Sequence, residues 1–420
     1  MSSLSIPKRL AVCVFALGVF GVFGMGCGEQ DLGVLFEDDA ANSNSPTGNS
    51  NGNTNGNGSG GAVERSFQPI EDTLTARLPS GSGGATATTI PLTFERPDVP
   101  HYAGIVNGLD GALYLIPARA GRVMRLDPSA PEQAEELGPV LPEGEWGGAA
   151  LAPNGRIYLL PADQPQVYEF DPADPSAARP VGPDYNFLGA QKWRGFVPGL
   201  DGFLYGIPNA SGRVLRFEPD SPDSSELLGQ QLAENERYSG GVLAPNGWIY
   251  GIPSTATRLL RIRPEQNPVE VGQVGDPLGP DADKFSGATL NSSGLVVSLG
   301  EASSSVLLFD PGSPSGTQRL GTLSGDAPYF VRSVALGSDG FVYGAPANSP
   351  DPIRIDPRFP GEVLTVSELS SGVDKWRGMA LAPDGRLFAA PYQSSGVLII
   401  TPNADPVPLS ITASPFLNYY

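Results

Sequence analysis

The 420-residue chain is poor in the side chains that most often carry chemistry. Cys13 and Cys27 are its only cysteines and His101 its only histidine. Neither a disulfide framework nor a cysteine- or histidine-based zinc set can be assembled from them. A Ser-His-Asp arrangement would have to recruit His101, and a lone histidine is more often a packing or surface residue. Basic residues are also scarce: 26 Lys and Arg stand against 45 Asp and Glu, a net charge of −19. Nucleic acid is therefore a poor partner. No Gly-rich phosphate loop, GxSxG elbow, HExxH helix or EF-hand loop occurs.

What is abundant is glycine (54) and proline (43), close to a quarter of the chain, beside 40% apolar residues. That mixture suits many short strands joined by tight turns. The chain opens on two basic residues, Lys8 and Arg9, then an apolar stretch over residues 10–23 and small residues before Cys27. This is the pattern of a secretory leader over residues 1–27, and the stretch is short of the roughly 20 residues of a spanning helix. Loss of the leader leaves 24 basic against 45 acidic residues, a charge of −21. Residues 28–65 are rich in Asn, Gly and Ser and have almost nothing to bury, so a flexible, disordered tether is expected. Residues 66–99 read as an N-terminal extension with room for a latch strand.

From residue 100 to the end the chain repeats itself. Turn dipeptides fall at Asp110-Gly111, Asn154-Gly155, Asp201-Gly202, Asn246-Gly247, Ser293-Gly294, Asp339-Gly340 and Asp384-Gly385, spaced 44 to 47 residues apart. Eight residues before each turn stands Tyr102, Trp146, Trp193, Tyr238, Phe285, Val331 or Trp376, and after each comes an apolar run such as LYLIP or LYGIP. A period of this length with strand signals inside it marks a propeller or array. Glycine after Asp or Asn supplies the positive φ of a hairpin hinge. A run without polar alternation implies a strand covered on both faces. The expectation is an all-β, seven-bladed β-propeller of four-stranded antiparallel blades over residues 100–420. Two segments compete to complete the last blade: TTIPLTF (88–94) and PVPLSIT (406–412). The C-terminal one is preferred as its outer strand, with the N-terminal one as a further edge.

Two resemblances add to this. The ending GMGC (24–27) resembles the lipobox of bacterial lipoprotein precursors, although Gly24 stands where that family usually has leucine. The resemblance implies lipidation of Cys27, membrane attachment through that lipid and, because Gly28 and not aspartate follows, outer-membrane retention in the cell envelope, periplasmic or surface-exposed. The phrases LAPDGRLF and LAPNGRIY are similar to the turn region of virginiamycin B lyase-like, NHL and SMP-30-type propeller blades, over about residues 100–412. The lyase family implies a catalytic histidine late in the chain and a divalent ion. Here His101 opens the first unit instead.

Most carboxylates in register have turn or strand-end roles, and Arg125, Arg216, Arg261 and Arg354 suggest pairing between blades. The aromatic at the head of each inner strand is expected to wedge between blades. Flanking those seven positions, six aromatics and Val331, seven of fourteen residues are Lys or Arg, where composition alone predicts about one. Ring closure would gather them at one mouth of the channel. The candidate anion site is Lys192, Arg194, Lys284, Arg332, Lys375 and Arg377, with Trp193 and Trp376 as stacking walls; the competing role for each base is pairing with a carboxylate of the next blade. The functional expectation is a non-catalytic envelope lipoprotein binding a small anionic ligand, a glycan or a partner protein, with no catalytic residue, metal or cofactor assigned. The alternative is a metal-assisted lyase or lactone hydrolase with one divalent cation in the channel.

Overall fold

The computed structural model describes residues 84–93, 100–119, 121–279, 284–301, 305–313, 317–320, 331–349, 351–357, 363–366, 369, 372 and 374–402. The leader with Cys27, the tether and residues 406–412 lie outside them. Among the described residues no helix is long and apolar enough to cross a membrane.

Seven four-stranded antiparallel sheets follow one another as the blades of a β-propeller. Blade 1 runs from its inner strand Tyr102–Asn107 through Leu113–Pro117 and Val123–Leu126 to the outer strand Glu135–Leu137. The other inner strands are Trp146–Leu151, Trp193–Pro198, Tyr238–Leu243, Thr289–Leu290, Val331–Leu336 and Trp376–Leu381. The second strand of each blade that has five residues, such as Ile157–Pro161 or Leu204–Pro208, is buried along its whole length. A blade covers that strand on neither face by itself; its neighbours do. Accordingly the core is seven clusters, each drawn from two adjacent blades. Each large aliphatic buried in this way stabilises the ring by about 1.5–3 kcal/mol.

The last blade is completed by a different segment from the one preferred on sequence. Its outer strand is Thr86–Pro91, which pairs antiparallel with Gly396–Thr401 from Thr86↔Thr401 to Pro91↔Gly396. The N-terminal segment is therefore the fourth strand itself, and not an added edge. It brings Ile90 and Leu92 onto the cluster shared by blades 7 and 1, beside Tyr102, Phe388 and Ile399. The first and last strands of the propeller are thus paired in one sheet, which covers the edge of Gly396–Thr401.

All seven hinge glycines have φ between 79° and 87°. Beside them the Asp or Asn Oδ1 accepts the amide two residues on, at 3.0–3.2 Å in Asp110, Asn154, Asn246, Asp339 and Asp384. In blade 5 Asn291, two positions earlier, takes over this role. The second carboxylate oxygen takes the phenol four residues later: Tyr114 donates to Asp110 at 3.1 Å, Tyr205 to Asp201 at 2.7 Å and Tyr343 to Asp339 at 2.6 Å. Arg125 and Arg216 reach the same oxygens at 2.9 and 3.3 Å. The expected inter-blade pairing of Arg125, Arg216, Arg261 and Arg354 is therefore replaced by pairing within the blade. Register explains it: Arg125 lies opposite Tyr114, and Arg216 opposite Tyr205, so each guanidinium faces its own hinge. Arg261 turns to Glu270 of its own outer strand at 2.6 Å, and Arg354 stands 4.0 Å from Asp339.

Candidate functional site

The inner strands make the channel wall, and a bulge in them decides what the wall is made of. Just after the leading aromatic the pairing register slips in six blades. Gly148, Gly195, Gly240 and Gly378 occupy that place with positive φ. A Cβ on Gly195 would stand 2.7 Å from Gly240 Cα, and one on Gly378 2.8 Å from Gly104 Cα. Neighbouring backbones thus approach closely around the axis, and only glycine permits it.

With bare backbone at that level, the residue directly after each aromatic defines the lining. Going round the ring these are Ala103, Gly147, Arg194, Ser239, Ser286, Arg332 and Arg377. Arg194, Arg332 and Arg377 border one cavity of about 70 Å³ on the axis. Arg194 and Arg332 also border a wider recess of about 470 Å³ at the mouth, with Arg237 and Glu301. Arg332 is held from both sides, by Glu301 at 2.9 Å and Asp374 at 3.0 Å. Arg377 shares Asp374 at 3.4 Å and lies 3.5 Å over the Tyr392 ring. Arg194 has no hydrogen-bond or ion-pair partner among the described residues. Burial, and next the Arg332 cation, hold the Arg377 pKa below the usual guanidinium value; Tyr392 and Asp374 oppose the shift, and Arg194 adds to it. Three positive groups are therefore close enough to repel one another, and Glu301 and Asp374 pair with two of them.

The three predicted lysines sit elsewhere. Lys192, Lys284 and Lys375 are buried. Lys192 Nζ donates to Ala162 O and Gly189 O at 3.0 Å, Lys284 Nζ to Thr255 O at 3.1 Å and Lys375 Nζ to Ser349 O at 2.7 Å. Each lysine donates to a carbonyl in a loop of the preceding blade. The residues before two of them, Gln191 and Asp374, carry positive φ of 51° and 47°. Their amides are fixed by Asp163 at 3.0 Å and Asn348 at 2.8 Å. Such backbone strain in non-glycine residues costs of order 1–3 kcal/mol and persists where the surroundings enforce it. Here it brings Asp374 onto both Arg332 and Arg377, and Gln191 to the cavity lining.

Trp193 and Trp376 are buried between blades, 0% and 1% exposed, and their indoles donate to Arg213 O at 2.8 Å and Gly396 O at 2.9 Å. They form core, as do Tyr102, Trp146, Tyr238, Phe285 and Val331 at the equivalent positions. The aromatic at the cavity is instead Tyr392, with Glu145 and Gln191 as polar neighbours. None of these three was singled out as a binding residue by sequence; Tyr392 stands at a fixed repeat position, eight residues after Asp384, but its residue type changes from unit to unit (Ala118, Ala162, Asn209, Ser254, Glu301, Ala347), so no shared residue type marks it. His101 sits half-buried where blade 7 meets blade 1, its amide donating to Tyr392 O at 2.8 Å. Burial lowers its pKa. A divalent cation in this channel would face the three guanidiniums, and among the described residues no three His, Cys, Asp or Glu side chains gather to hold one. The wall fits such an ion poorly.

No protein-family model matches the chain, and no curated protein matches it. Solved structures do. A catalytically inactive virginiamycin B lyase from Staphylococcus aureus, solved with quinupristin, is 10% identical with a TM-score of 0.63, over 76% of this chain and 100% of that one. Hydrazine synthase from Kuenenia stuttgartiensis is 15% identical with a TM-score of 0.54, over 75% and 99%. The WD40 propeller domain of Doa1 is 11% identical with a TM-score of 0.56, over 77% and 98%. At such identities the likeness concerns the fold alone, and these neighbours perform unrelated tasks on it.

Proposed function

We propose that this protein is a non-catalytic β-propeller, attached to the cell envelope through lipidated Cys27, whose channel mouth binds the anionic group of a small ligand. The observation that carries this is the convergence of Arg194, Arg332 and Arg377 from blades 3, 6 and 7 on one cavity, with Arg194 unpaired among the described residues. Guanidinium forks match carboxylate and phosphate oxygens in a water-poor site. Charged sugars are included in the class, because the wider recess adds Asn209, Asn235 and Ser254 to the lining.

Calorimetric titration of the purified domain with acetate, phosphate and a uronic acid tests the role. Binding by at least one, weakened about tenfold or more in Arg194→Ala with the melting temperature unchanged, is the expected result. A flat titration across all three refutes it. Stoichiometric divalent metal retained through a mild chelator wash would favour a metal-assisted enzyme instead. The anchor has its own check: Cys27→Ser should move the protein from the membrane to the soluble envelope fraction, since a lipid is the membrane attachment proposed.

A further inference from the structure

We infer, resting on the anion-binding role proposed above, that the channel ligand is a small zwitterion: an α-amino carboxylate with a compact side chain, its carboxylate on Arg194 and its ammonium on Glu145. Glu145 borders the same cavity from blade 2. Its backbone is pinned, the amide to Asp163 at 3.0 Å and the carbonyl to the amides of Ala162 and Asp163 at 3.2 and 3.1 Å. Its carboxylate has no hydrogen-bond or ion-pair partner among the described residues. Yet its field reaches Tyr392, where it helps to raise the phenol's pKa after burial, and Tyr392 lies against Arg377. An open carboxylate and an open guanidinium thus border one cavity.

Charge balance selects the ligand class. Among the described residues, Arg194, Arg332 and Arg377 contribute three positive charges, and Glu145 at the cavity with Glu301 and Asp374 paired to the arginines contribute three negative ones. A bare anion entering this neutral set would gain Arg194 but leave a net negative charge in a poorly solvated space, beside the carboxylate of Glu145. A zwitterion satisfies both open groups and leaves the balance unchanged. Arg119, the other cation acting on Tyr392, is exposed, and water screens it.

Size and wall shape agree. A cavity of about 70 Å³ admits a ligand of only a few heavy atoms. Blade 2 cannot fill it from its ring position, because a Cβ on Gly147 would meet Trp193 O at 2.1 Å. Ala103 keeps blade 1 equally short. The cavity beside Glu145 is therefore bordered by two short residues, of which Gly147 admits no Cβ.

The test is calorimetric titration of the purified domain with glycine and L-alanine against acetate and propionate, which match them but lack the ammonium. The expected result is at least tenfold tighter binding of the amino acids, lost in Glu145→Gln, with the simple carboxylates unchanged or tighter in that variant. Equal affinity of acetate and glycine in the parent protein, still abolished by Arg194→Ala, would overturn the zwitterion and leave the anion role standing. Amino-acid affinity unchanged in Glu145→Gln would overturn it equally. No heat from any of the four ligands, together with none from phosphate or a uronic acid, would remove both.

Discussion

Gly247 and Gly195 both sit at positive φ, 79° and 91°, for different reasons. Around Gly247 there is room: a Cβ would touch only Leu200 Cδ1 at 3.4 Å. Gly247→Ala should therefore cost only the strain of a left-handed alanine, on the order of 1 kcal/mol, and Gly385→Ala about the same. At Gly195 the same Cβ would enter the backbone of the next blade. Gly195→Ala should cost several times more, because two inner strands must separate to accept it. Urea unfolding of the three variants checks the order; equal losses would mean that φ alone matters and that close approach of the inner strands does not. The hinge glycines were legible in sequence because each stands at a fixed place in the repeat, after Asp or Asn in every unit but the fifth, where Ser293 precedes Gly294. Gly195 was not, since nothing in one blade's sequence shows how near the next blade comes.

The inner strand also shows why a correct count of basic residues misplaced half of them. Positions on either side of the leading aromatic share one face of an extended strand, so Lys192 and Arg194 look equivalent in sequence. They differ in what lies within reach. Lys192 stands at the junction with the loop, where its backbone amide and its Nζ both reach Ala162 O and the Nζ also reaches Gly189 O. Arg194 stands one step further along, where the bulge has turned the strand towards the axis. Loop carbonyl directions are set by tertiary packing and leave no mark in the repeat. The distinction has a measurable consequence. Lys192→Met keeps the stem and removes the side-chain donors; Ala162 O retains the backbone amide of residue 192 at 3.1 Å while Gly189 O loses its partner, so the domain should lose about 1–2 kcal/mol. Arg194→Ala, which breaks no pair among the described residues, should leave stability within about 0.5 kcal/mol. If thermal melts show the two variants equally destabilised, the division into a structural lysine and a binding arginine is wrong.

Seven repeats were enough to read the ring from sequence, whereas its closure was not, because two similar segments at opposite ends of the propeller could each fill one place. Thr86–Pro91 fills it, pairing along its whole length with Gly396–Thr401. Closure matters for binding, since it sets Tyr392 and Arg377 of blade 7 against Ala103 of blade 1 around one cavity. The assembled ring then carries opposing fields. The chain as a whole bears a charge of −19, while three arginines line the mouth. At about 10 mM salt the screening length is roughly 30 Å, so an approaching anion feels the whole acidic molecule; at about 150 mM it is roughly 8 Å, and the repulsion of the distant carboxylates is screened out. The association rate of phosphate should therefore rise with added salt over that interval, opposite in sign to the fall expected of a basic protein surface. Glycine, with no net charge, should associate at a rate that salt barely changes. Rapid-mixing measurements at the two salt concentrations decide this. A phosphate rate that falls as salt is added would mean that the mouth's own field steers ligands at long range, and that the acidic surface is arranged to stay clear of it.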